Sequence, residues 1–297
     1  MVLAGHRLVE SPDPIGMFRW MMLSVAMTSL FGLVYLLNQM RDRDGDRRNG
    51  KSSLIAHEIV GRRTQIVIGV MLGILAPAAL VISGFGHLGL WMIATFAVAG
   101  ILYNYTPVAL ERTPLGGVVS GTVGGWLLLK LGESVAGGEA SIIRELPYVL
   151  AFSAGCLLTS LPDLEGDRET GKNTFAVTFG EKVTVILAGL MIFIAGILSV
   201  TLSDWVMIAP AVAATVLIAV ALFRRRYQLA VAANKMAIFL LALGMAFTYI
   251  TFLLAMALYL PLAKWYHRNR FGLNYPNFRA EYANKGRITP LNPLHEE

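Results

Sequence analysis

The chain has 297 residues, 56% of them hydrophobic and 15% charged, with a formal net charge of +6 at pH 7. Soluble domains carry about a quarter charged residues, so the composition excludes an ordinary soluble fold and points to an integral membrane protein. The positive excess suits loops beside anionic lipid, and no basic platform presents it to a nucleic acid.

Residues 1–16 contain Pro12 and Pro14, carry no cleavable signal pattern, and are read as an N-terminal segment. Apolar runs then follow almost end to end, so residues 17–262 are read as one membrane domain and residues 263–297 as a polar tail. Eight runs are spans by length: 20–40, 64–83, 86–107, 116–133, 146–162, 183–201, 204–223 and 236–262. Each is close to the ~20 residues that cross a bilayer core, and the last could cross with tilt. Barrel-type alternation is absent, and backbone groups in lipid must be satisfied within each segment. The expected fold is therefore all-α, a polytopic membrane helical bundle of about eight spans. The 116–133 run is only just long enough, which leaves a re-entrant segment as its alternative. Its Gly116, Gly117, Gly121, Gly124 and Gly125, like Gly73, suit close helix approach.

Basic residues set the orientation. Arg41, Arg43, Arg47, Arg48, Lys51, Arg62, Arg63, Arg112, Arg168, Lys172, Lys182, Arg224, Arg225, Arg226 and Lys235 fall on one side, against Arg7, Arg19, Lys130 and Arg144 on the other. The positive-inside rule places the first set in the cytoplasm. Eight spans also put both termini outside, where Lys264, Arg268 and Arg270 conflict with the rule. Either the tail lies along the interface through Trp265 and Tyr266, or the count is off by one.

The feature with chemical content is a repeat. Asp42-Arg-Asp-Gly-Asp-Arg-Arg-Asn-Gly-Lys51 returns as Asp163-Leu-Glu-Gly-Asp-Arg-Glu-Thr-Gly-Lys172, and each copy directly follows an apolar run. Asp42 and Asp46 are four apart, as are Asp163 and Asp167, a spacing that stacks two carboxylates on one helix face. A bound cation relieves their repulsion, and Mg²⁺ commonly takes one or two carboxylates together with substrate phosphates and waters. Asn38 stands one turn before Asp42 and can add a carbonyl oxygen, while Thr159 holds the equivalent place before Asp163. Arg47, Lys51, Arg168 and Lys172 recur at matched places and can take the remaining charge of a diphosphate. Arg41, Arg43 and Arg48 are read as topological. One such cluster alone would be read as a solvated acidic loop; the matched second copy argues for metal.

Other chemistries find little support. An EF-hand is a poor fit, because the glycine comes too early and Ser53 and Thr174 stand where a bidentate Glu is needed. His6, His57, His87, His267 and His295 never approach metal-ligand spacing, and the lone Cys156 sits inside an apolar run. A diphosphate held at the mouth of an apolar bundle implies a ligand whose remainder is apolar. The nearest charges to mid-span, Lys130 and Glu133, lie at the outer end of theirs. An isoprenoid diphosphate fits both ends, whereas a nucleotide would need a base and ribose pocket for which no motif appears.

These residues resemble the UbiA superfamily of intramembrane prenyltransferases. Asn38, Asp42 and Asp46 match its first motif, N-x-x-x-D-x-x-x-D, and Asp163 and Asp167 its second, D-x-x-x-D. The string Leu161-Pro-Asp-Leu-Glu-Gly-Asp-Arg-Glu-Thr-Gly-Lys-Asn-Thr-Phe-Ala-Val177 is similar to the region around that second motif. Leu102-Tyr-Asn-Tyr-Thr-Pro107 resembles the tyrosine-containing loop between the motifs, followed by a basic residue matched by Arg112. The resemblance covers about residues 20–260 and implies nine helices around a central cavity open laterally to lipid. This chain departs from it in two places. One span precedes the first motif where the family usually has two, and the family's Tyr-Ser or Tyr-Thr pair reads Tyr103-Asn104.

By this resemblance, two Mg²⁺ ions on Asn38, Asp42, Asp46, Asp163 and Asp167 assist departure of the diphosphate. Arg47, Lys51, Arg168, Lys172, Tyr103 and Arg112 hold it, and a lipophilic acceptor such as an aromatic ring carbon attacks the prenyl cation. Tyr103, Tyr105 and Phe175 are candidates for an aromatic face beside that cation. No general base for the acceptor stands out, and oligomeric state is not legible. Two alternatives stand: a cyclase that ionises the same diphosphate without an acceptor, and a non-catalytic membrane carrier. A carrier usually places ionisable groups near mid-bilayer, where these spans have none.

Overall fold

The computed structural model describes residues 1–10, 15–48, 55, 58–105 and 108–271. Lys51, His57 and His295 lie outside the described residues. Twelve α-helices are present among those described. The first is α1 (Val2–Leu8), followed by α2 (Met17–Arg41), α3 (Arg43–Arg48), α4 (Arg62–Ile82) and α5 (Gly89–Phe96). A π-helical turn, Ala97–Leu102, continues α5. Next come α6 (Gly116–Val135), α7 (Ile142–Thr159), α8 (Leu164–Glu169) and α9 (Phe175–Thr201). The chain ends with α10 (Trp205–Phe223), α11 (Gln228–Thr248) and α12 (Ile250–Phe271).

Two lobes flank a central helix. In one, α2, α4 and α5 share a core built on Leu23, Leu30, Leu80 and Met92. In the other, α7, α9, α10 and α11 share a core in which half of the buried residues are alanine. Lipid tails are as apolar as leucine, so membrane helices associate through close packing rather than water exclusion, and small side chains allow it. Between the lobes stands α6, with α5 on one side and α7 on the other. The outward faces carry exposed apolar residues such as Met71, Leu90, Phe193 and Phe223, the surface a bilayer would cover.

Among the described residues, six helical runs are long and apolar enough to cross a membrane: α2, α4, α9, α10, α11 and Ile142–Glu169. The shorter apolar run Gly86–Leu102 matches the third expected span. Over 116–133 the chain is one continuous helix, α6, which is not among those six runs. The largest departure is the last span. The expected 236–262 crossing divides at Tyr249, whose φ of −121° and ψ of 96° are extended. There the Tyr249 hydroxyl turns inward to His6 Nδ1 at 2.8 Å.

Residues 2–8, part of the expected N-terminal segment, form α1 and pack on α6. The approach is close enough to require glycine on both sides. A Cβ on Gly5 would meet the Leu129 carbonyl, and one on Gly132 would meet that of Val2. α1 is pinned from its other face by Arg7, which donates to Asp204 and to the Tyr148 hydroxyl.

Candidate active site

Each acidic copy begins where a long helix ends. Asp42 caps α2, its backbone N–H donating to the Asn38 carbonyl at 2.8 Å, and the Asp46 N–H donates in turn to the Asp42 carbonyl at 2.8 Å. The four-residue stagger of Asn38, Asp42 and Asp46 thus follows a nearly continuous helical path. In the second copy, Asp163 closes a 3-10 turn, Leu161–Asp163, and caps α8, which carries Asp167. The end of α8 is tightened by the Lys172 N–H donating to the Asp167 carbonyl at 2.8 Å. The short helices α3 and α8 touch each other, so the two copies meet at one end of the bundle.

Between them opens a cavity of about 400 Å³, within the usual size for a small-molecule site. Its polar end is lined by Asn38, Asp42, Glu111, Asp163, Asp167 and Lys172, and its depth by Phe31, Leu128, Phe152 and the glycine face of α6. Those glycines do more than admit close packing. A Cβ on Gly121 would meet Cys156 Sγ at 2.5 Å, and one on Gly125 would meet the Phe152 ring at 2.5 Å. Gly117 and Gly124 line the cavity as well, so this face of α6 gives up side chains to leave room.

One contact was not legible in the sequence. Lys172, from the second copy, reaches across to the Asp42 carboxylate of the first and donates to Glu111 Oε2 at 3.0 Å. Burial alone would favour its neutral amine, but Asp42 and Glu111 outweigh that and hold the lysine above its ordinary value. Burial, reinforced by the Asp42 charge, pushes the Glu111 carboxyl above the usual carboxylate range. Glu111 is 3% exposed, and its Oε1 has no hydrogen-bond partner among the described residues. It sits in the 3-10 turn Leu110–Arg112, tied in place by its N–H to the Tyr103 carbonyl at 3.1 Å. Its only sequence signal was an acid beside Arg112 in the loop between the motifs.

The remaining expected residues separate into two groups. Asn38, Asp42, Asp163, Asp167, Lys172, Tyr103 and Phe175 line the cavity, as does Thr159. Asp46 is 3% exposed and is not part of the lining. Arg168, Arg112 and Tyr105 are exposed, and Arg47 points to Glu58 at 3.1 Å. Two cavity aromatics, Phe31 and Phe152, were missed because apolar residues in apolar runs carry no distinguishing signal.

The donor set fits magnesium. Among the described residues no three carboxylate, imidazole or thiol groups converge on one point, but Mg²⁺ is commonly held by one or two carboxylates with phosphate oxygens completing the shell. Asp42 and Glu111 already accommodate a cation, the Lys172 ammonium, so these oxygens face a place where positive charge is favourable.

The sequence model of the UbiA prenyltransferase family matches residues 1–242. A UbiA homologue from Archaeoglobus fulgidus bound to GPP and Mg²⁺ superposes with a TM-score of 0.63 at 16% identity, over 82% of this chain and 92% of that one. The apo structure of a UbiA homologue from Aeropyrum pernix K1 gives 0.63 at 17% identity, over 83% and 94%. A digeranylgeranylglyceryl phosphate synthase gives 0.55 at 15% identity, over 85% and 90%. No curated protein matches the chain.

Proposed function

Since the chain belongs to the UbiA prenyltransferase family, an integral membrane family, we propose that it carries out Mg²⁺-dependent transfer of a prenyl group from an isoprenoid diphosphate to a lipophilic acceptor. The observation that carries this reading is the convergence of both acidic copies on one cavity with a polar mouth and an apolar depth. The A. fulgidus homologue bound to GPP and Mg²⁺ supports it. The positive-inside count supports a cytoplasmic mouth.

We assign the metal to Asn38, Asp42, Asp163 and Asp167, which reach the cavity. Asp46, buried within α3, is a further oxygen donor at the same end. Bound Mg²⁺ would supply Lewis-acid stabilisation of the charge that develops on the departing diphosphate. Lys172 presents an ammonium to the same oxygens, and the Tyr103 hydroxyl stands at the same mouth. Arg47, Arg112 and Arg168, being exposed, attract the anion towards the mouth rather than grip it. Phe31, Phe152, Phe175 and Leu128 surround the prenyl chain and exclude water, which would otherwise capture the allylic cation.

The test incubates purified protein and Mg²⁺ with prenyl diphosphates of graded length and a panel of acceptors, with products read by mass spectrometry. A prenylated acceptor formed by wild type and not by Asp42→Ala or Asp163→Ala is expected. A hydrocarbon or alcohol formed without acceptor would establish the cyclase instead, and binding without any product would establish a carrier.

A further inference from the structure

We propose that Asn104 is a positioning residue that sets which atom of Asn38 faces the metal, an inference that rests on reading Asn38 as a ligand. Asn104 is completely buried in the turn that follows the π-helical segment, on a different element from Asn38. Its Nδ2 lies 2.9 Å from the Gly100 carbonyl and 3.3 Å from that of Ala99. Carbonyl oxygens only accept, so this end of the amide is the NH₂ and its Oδ1 must face the other way. What it faces is Asn38, 3.0 Å away. An amide oxygen there demands a donor, so Asn38 turns its own NH₂ to Asn104.

The second partner of that NH₂ agrees. Asn38 Nδ2 also donates to Asp42 Oδ2 at 3.1 Å, where an amide oxygen would repel the carboxylate. Both hydrogens of Asn38 are thereby used, and its Oδ1 is the atom left for a cation. The polarity runs without ambiguity from the Ala99 and Gly100 carbonyls through Asn104 to Asn38. π-Helical turns occur often at functional sites, and here the turn supplies the fixed end of the chain. Partners behind a metal ligand commonly control affinity by tenfold or more.

The experiment is a double-mutant cycle read by direct Mn²⁺ binding to the purified protein, followed by electron paramagnetic resonance. Asn104→Ala is expected to weaken Mn²⁺ about tenfold, and to add nothing in an Asn38→Ala background. If the effect of Asn104→Ala is undiminished in that background, Asn104 does not act through Asn38 and the proposal fails. An unchanged affinity in Asn104→Ala, when Asn38→Ala does weaken binding, also overturns it. An unchanged affinity in Asn38→Ala overturns the ligand reading itself, and with it this proposal. Asn104→Ser keeps a hydroxyl donor for the turn carbonyls and serves for the same cycle should the alanine variant not fold.

Discussion

The bundle buries charge at both ends, and the two ends use it differently. At the end around α1, Arg7 is matched by Asp204, whose other oxygen accepts from the Tyr148 hydroxyl at 2.7 Å. Lys130 donates to Glu133 at 2.8 Å and Glu145 at 2.7 Å, and the Trp126 indole donates to the second oxygen of Glu145 at 2.7 Å. Bases and acids there nearly balance, and the groups point at one another. At the mouth of the cavity, the described lining residues Asp42, Glu111, Asp163 and Asp167 stand around an open volume together with Lys172. A buried pair that satisfies itself holds helices together; carboxylates that line an open volume are placed to meet a ligand that enters it.

Removing charges at each end should separate the two roles. Asp42→Ala and Asp163→Ala are expected to lower turnover by a factor on the order of 10³, as loss of transition-state electrostatics does, a far larger effect than any fall in the thermal midpoint. Arg7→Ala should do the reverse. Leaving Asp204 buried without its partner costs about 3 kcal/mol, seen as a lower thermal midpoint in detergent, while turnover by the folded fraction is retained. Retained turnover in the aspartate variants, or lost turnover in folded Arg7→Ala, would break the comparison. Lys172→Met tests the base that lines the mouth. It should raise the KM for prenyl diphosphate roughly tenfold or more, the worth of one charged hydrogen bond. The smallest change is expected from Arg168→Ala, less than about fivefold in KM, because an exposed charge contributes no more than about 1 kcal/mol.

How much was legible depended on the distance over which each feature is decided. The acidic copies could be found because the spacing within each is local, and the four-residue stagger of Asp42 with Asp46 survives as helix. The membrane runs could be found because hydropathy is a sum over neighbours. The break at Tyr249 could not, since it interrupts an unbroken apolar run and its inward turn is fixed by His6, far away in the chain. Arg168 and Lys172 sit at equally good places in the motif, yet only the lysine enters the cavity. The bend at the end of α8 chooses between them.

By itself the sequence determined a helical membrane protein and displayed the two acidic motifs, whose five oxygen-bearing residues led to the proposed diphosphate chemistry. These depend on composition and on spacings of a few residues, which covalent geometry transmits directly. Tertiary structure alone decided that Lys172 crosses to Asp42, that Glu111 joins the site, that Asp46 stands back from the cavity and that Asn104 orients Asn38. Each of these is a contact between residues far apart in the chain. Such a contact exists only once α2, the π-helical turn, α6 and α7 have packed around a common space.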